Sequence, residues 1–164
     1  MSELATIADL PGRPAVYALY GGRGRGLHVA YVGSARDLRT RITQHLIRRD
    51  SSITTGTTVA MLNADLVTQV RWWDDGAFAD ETRLLAAELI AFETLEPALR
   101  SRGQPHEQAR KLAADPAFSA QMRALFEGEP TGRLTLPSLQ DALERIAALE
   151  ERLNTLEALL RSRS

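Results

Sequence analysis

The run AVYALYGGRGRGLHVAYVG, residues 15–33, restricts the fold more than any other stretch of this 164-residue chain. Two short apolar segments, rich in β-branched and aromatic residues, flank the glycine-rich GGRGRG. Segments of that length and content read as strands, and glycines between them as a turn. Residues 15–20 and 28–33 are therefore expected to pair as a hairpin, with Pro11-Gly12 and Pro14 marking a turn just before it. After Gly33, the residues Leu38, Ile42 and Leu46 recur every four positions, which is one face of a helix. Ser34 or Asp37 is placed to cap its start.

The same reading continues along the chain. Residues 50–58 form a loop, and LVTQVRWW at 66–73 is a third strand, with Trp72 and Trp73 expected in the core and at the sheet edge. Asp80 caps a helix, ETRLLAAELIAFETL, that stops before Pro97. The order β-β-α-β-α predicts an α+β fold, a small three-stranded antiparallel sheet with flanking helices. Residues 105–126 read as two short helices broken at Asp115-Pro116, and EGEPTGRLTLP, residues 127–137, as a Gly/Pro-rich joint. The expected division is 1–103 for the sheet domain, 104–135 for a helical extension and linker, and 136–164 for a C-terminal helix.

That last helix carries a heptad pattern. Leu139, Ile146, Leu153 and Leu160 are seven apart, and Ala142, Leu149 and Leu156 fill the second apolar position. Arg145 and Arg152 then fall at g positions, and Glu150 and Glu157 at e positions. The stripe serves either a homodimer through residues 136–164 or docking on the chain's own domain, with Leu143 and Leu159 widening it.

Composition narrows the function classes. There is no cysteine, which excludes disulfides and cysteine-based zinc sites, and the three histidines are scattered. No apolar run approaches the roughly 20 residues that span a bilayer. The first residues lack the layout of a secretion signal, so a cytoplasmic protein with no membrane partner is expected. A net charge of −1 argues against indiscriminate nucleic-acid binding. The distribution argues for a local basic region: Arg23, Arg25, Arg36, Arg39, Arg41, Arg48 and Arg49 lie between positions 14 and 49, against the single acid Asp37.

Ala15-Val16-Tyr17 followed by Tyr31-Val32-Gly33 resembles the paired signature of the GIY-YIG endonuclease family, with Ala in place of the first Gly. Arg41, ten residues after Tyr31, matches the family's catalytic arginine, and Gln44-His45-Leu46 resembles its usual continuation. Glu88, nine residues before Pro97, matches the metal-binding glutamate. Arg100 stands where members often carry an asparagine. The resemblance covers about residues 13–100 and implies a metal-dependent endonuclease acting on DNA, with one Mg²⁺ or Mn²⁺ held by Glu88.

The residue types suit that chemistry. Phosphodiester hydrolysis needs an activated water and compensation of charge on the phosphate and leaving oxygens. A hard divalent cation takes oxygen ligands and keeps several waters, so one carboxylate plus the phosphate can hold it. Arg41 would clamp the phosphate, and His45 would bond the phosphate or leaving group. Tyr17 or Tyr31 would orient the water or take its proton, while Tyr20 is expected to be structural. Gly33, Ser34, Arg36, Arg39, Arg48 and Arg49 are the candidate substrate contacts. The alternative is a catalytically silent module of the same fold that binds nucleic acid or a protein partner and dimerises through its last helix.

Overall fold

The computed structural model describes residues 2–21, 27–50, 62–99, 104, 106–137 and 139–162. Five strands form one sheet: β1 (Ser2–Leu4), β2 (Ala15–Gly21), β3 (Val29–Ala35), β4 (Val67–Trp73) and β5 (Gly132–Thr135), in the order β1-β5-β4-β2-β3. β2 pairs antiparallel with both β3 and β4, and β4 with β5, while β1 joins β5 in parallel. The helices are α1 (Leu38–Thr43), which widens into a π turn over Gln44–Arg48, then α2 (Glu81–Leu95), α3 (Glu107–Ala113), α4 (Pro116–Glu127) and α5 (Leu139–Ser162).

The fold is thus α+β, but the expected three-stranded sheet is corrected to five strands. The two additional strands come from near the chain's ends. Ser2–Leu4 is too short to display an alternating pattern. Gly132–Thr135 sits in the stretch expected to act only as a joint, where glycine reads as a breaker. Gly132 is there for another reason: a Cβ on it would lie 2.1 Å from the Trp72 ring, so only glycine lets the indole lie flat against β5.

β2 lies inside the sheet, between β4 and β3, and is buried along its whole length. Strand alternation sends Ala15, Tyr17 and Leu19 to one face, where they pack with Leu38 and Ile42 of α1. Val16, Ala18 and Tyr20 go to the other face, against Leu84, Ala87 and Ile90 of α2 and Met122 and Phe126 of α4. Trp72 and Trp73 divide between the two faces, and each is only 2% exposed. Neither is at a sheet edge, because β5 lies outside β4, so neither ring is open to stack on a base.

Caps fix where the helices begin. Asp37, rather than Ser34, caps α1, accepting from the Thr40 N–H at 2.8 Å. Asp80 caps α2 from the Arg83 N–H at 2.9 Å, as its position predicts. Asp115 caps α4 ahead of Pro116, whose missing N–H costs nothing in a first turn. α2 ends at Glu96, which adopts the left-handed conformation (φ 48°). The chain then turns back so that the N–H groups of Ala98 and Leu99 donate to the carbonyls of Val29 and Ala30, each at 2.9 Å. This covers the first part of β3's outer edge; among the described residues no strand pairs with the outer edge of residues 31–35, which lies between α1 and α2.

The Gly-Arg turn with Arg23 and Arg25, most of the expected loop at 50–58, and Arg100 lie outside the described residues. Among the described residues, no helix is long and apolar enough to cross a membrane. The large apolar side chains of α5 are open along most of the helix: Leu139, Leu143, Ile146, Leu149, Leu153 and Leu156 are 52–60% exposed, and Leu139 and Ala142 at its start border a pocket with Ile7, Leu46 and Val67.

Candidate active site

The open edge of β3 borders a groove of about 320 Å³ between α1 and α2, lined by Ser34, Arg36, Thr40, Arg41, Gln44, Glu81 and Leu84 among others. Three rings cluster beside it. The centroids of Tyr17, Tyr31 and His45 lie 5.7–6.1 Å apart. Tyr17 reaches the cluster from β2, Tyr31 from β3 and His45 from the π turn that follows α1. The Tyr17 hydroxyl shares a 2.6 Å hydrogen bond with His45 Nε2, and the two phenols act on each other's acidity.

Gly33 makes this clustering possible. It pairs with Tyr17 across the β2–β3 ladder. A Cβ on it would lie 2.6 Å from the Tyr17 hydroxyl oxygen and 2.9 Å from Tyr31 Cε1. Its role is to make room for both phenols, which reading it as a substrate contact does not capture.

Burial sets the protonation states. Tyr17 is 1% exposed, and burial pushes its pKa well above 10. Tyr31, only partly buried, is also raised, first by burial and then by the Glu88 charge; Arg41 and the Tyr17 hydrogen bond pull it back. His45 is 2% exposed, and burial, with Arg41 adding to it, lowers its pKa from 6.5 to about 4. The ring is therefore neutral near pH 7. The sequence gives no sign of this burial, since a histidine four residues after an exposed arginine would ordinarily face water too; the wider π turn rotates it inward.

A depressed histidine pKa has a consequence for stability. Below pH 6.5 the unfolded chain takes up a proton at His45 that the folded protein refuses until about pH 4. Stability is accordingly lost as pH falls through that window, by about 3 kcal/mol when complete. Urea unfolding at pH 7 and pH 4 should show a smaller acid loss for His45→Gln than for the wild-type protein by about that amount. Equal losses would mean that the ring is hydrated.

Glu88 lies on α2 beside the buried stripe of Leu84, Ala87 and Ala91, at the flank facing β3. The Ser34 hydroxyl donates to its Oε2 at 2.5 Å. Ser34 thus orients the carboxylate across the sheet edge. Glu88 and Arg41 both act electrostatically on Tyr17 and Tyr31, from opposite sides of the edge and with opposite sign.

The arginines separate clearly. Arg36 pairs with Glu81 at 2.5 Å across the groove mouth. Arg39 donates to the Leu10 carbonyl at 2.7 Å and so ties α1 to the chain before β2. Arg48 pairs with Asp50 at 3.5 Å, and Arg49 with Asp65 at 2.5 Å. Arg41 is exposed and reaches only the Gln44 side-chain oxygen, at 3.5 Å, among the described residues. Of the five, Arg41 is the one whose fork remains open to the groove.

Gln44 and Glu81 belong to the same groove; from the sequence Gln44 had no role beyond its place in Gln44-His45-Leu46, and Glu81 was not singled out. Gln44 is one helical turn after Arg41, and Glu81 two turns before Glu88, so helical spacing from those two residues was the available signal. Among the described residues, no group of three or more His, Asp or Glu side chains is arranged to hold a metal ion. No protein-family model, curated protein or solved structure matches this chain.

Proposed function

We propose that the groove is the active site of a divalent-metal-dependent DNA endonuclease of the GIY-YIG type. One observation carries the reading. Tyr17, Tyr31 and His45 cluster beside β3, and Arg41 and Glu88, named with them by the resemblance, both act electrostatically on the two phenols, which supports the reading. β2, β3, α1, β4 and α2 follow one another along the chain, an order compatible with that reading.

The donor set fits a cation that keeps most of its water. Glu88 beside the polar groove, with Glu81 engaged by Arg36, is too little for a cage but enough for a hard ion that also takes oxygen from a phosphate. Glu88 would hold it, with Ser34 fixing the carboxylate's direction. When bound, such an ion offsets the Glu88 charge that raises both phenols and compensates charge on the phosphate and leaving oxygens.

Arg41, open to the groove, binds the phosphate through its planar fork and balances charge gathering on it. Tyr31 is the phenol that meets water, since Tyr17 is sealed in the core. We assign the 2.6 Å contact as neutral His45 Nε2–H donating to the Tyr17 oxygen, which leaves the Tyr17 O–H turned toward Tyr31. Tyr17 and Arg41 ease release of the Tyr31 proton to solvent, and the phenolate so formed orients the water and takes its proton. His45 and Tyr17 position Tyr31.

Incubation with plasmid, single-stranded DNA and RNA, with Mg²⁺ or Mn²⁺, tests the reading. Nicking or linearisation of DNA that stops on chelation is expected; binding without cutting would favour the silent module. Tyr31→Phe should slow cutting by about 10²–10³-fold, and Tyr17→Phe by about tenfold. The reverse ranking would make Tyr17 the base.

A further inference from the structure

We infer that α5 forms a parallel, in-register two-stranded coiled coil with α5 of a second copy of this chain. The helix is 24 residues long, about 36 Å, and its large apolar side chains are more than half exposed along one stripe. A stripe of that size on a soluble protein marks a contact surface. Its repeat of seven, rather than 3.6, is the repeat of a seam between two helices.

Charge decides which helix lies opposite. In a parallel pair the g residue of one helix meets the next e residue of the other, which sets Arg145 against Glu150 and Arg152 against Glu157 on both sides of the seam. An antiparallel pair would bring g to g and e to e, placing arginine beside arginine and glutamate beside glutamate. A helix with this pattern is therefore complementary to itself in one orientation and repelled in the other. Ile146 at an a position, leucine at the central d positions 149 and 156, and no isoleucine at d favour two strands over three or four. Glu157 now pairs along its own helix with Arg161 at 3.7 Å, a loose exposed contact that Arg152 of a second copy can replace.

Sedimentation of the full chain at micromolar concentration should give twice the chain mass. Leu149→Glu, which places a charge in the seam, should give a folded monomer with unchanged circular dichroism from the sheet. Reversing both g positions, Arg145→Glu with Arg152→Glu, should raise the dissociation constant by at least about tenfold. Because the chain has no cysteine, orientation can be read directly. On oxidation the Leu156→Cys variant should link into a covalent dimer, since a parallel seam brings the two positions together and an antiparallel one holds them far apart. A wild-type monomer, a trimer, or a dimer that fails to cross-link at 156 would each overturn the proposal. None of these residues belongs to the groove, so failure here leaves the nuclease reading untouched.

Discussion

Glu88→Gln is expected to abolish metal-dependent DNA cleavage, by at least about 10³-fold, while the protein stays folded. The amide keeps the size of the carboxylate and can still accept the Ser34 hydroxyl, so the contact between α2 and β3 survives. What disappears is the negative charge, and with it the only acidic group shown here to act on both phenols. Rates of plasmid nicking at saturating Mg²⁺, beside a thermal melt, give both readouts. A variant that nicks at the wild-type rate would end the assignment of Glu88 as the metal ligand. A variant that loses the fold would instead make the residue structural.

Gly33→Ala should cost about 2–3 kcal/mol of stability, as overpacking of a core generally does, and about 10²-fold in cleavage. Gly33 does not adopt a left-handed backbone, so the effect is purely one of space. The new methyl would fall 2.6 Å from the Tyr17 hydroxyl oxygen and 2.8 Å from the ring carbon bearing it. Tyr17 is sealed between α1 and the sheet, so its ring has nowhere to move except away from His45. A second substitution checks the cause. Tyr17→Phe removes the nearest atom, so Gly33→Ala with Tyr17→Phe should be more stable than the two single effects added together. Simple additivity, measured by urea unfolding, would place the clash elsewhere.

Much of this arrangement could be read in the chain, because it rests on local signals. The two short apolar runs around the glycine turn pointed to β2 and β3, the β-branched and aromatic run to β4, and Asp80 and Pro97 bounded α2. Of the residues singled out by the resemblance, Tyr17, Tyr31 and His45 form one ring cluster, Arg41 lines the groove, and Glu88 hydrogen-bonds Ser34 of the same lining. What could not be read was decided by partners far away in sequence. β1 and β5 are three and four residues long, and each exists only because another strand offers it hydrogen bonds. Arg39 and Arg49 look like their solvent-facing neighbours until Leu10 and Asp65 are brought to them. The difference between Tyr17 and Tyr31, one sealed and one partly open, depends on which phenol α1 covers, and strand periodicity puts both on the same face.

The position of β5 also bears on how such a chain can be inherited or cut. The strand donated from residues 132–135 completes the far side of β4, and the Thr131 N–H caps the Trp72 carbonyl at 2.8 Å. A fragment ending near residue 103 would retain every residue of the groove yet bare a full strand margin, with an indole uncovered beside it. Bare margins of that kind recruit other chains. The front half is therefore not a portable cassette: any fusion or exchange that moves it must bring the later strand along, or find a substitute in its new host.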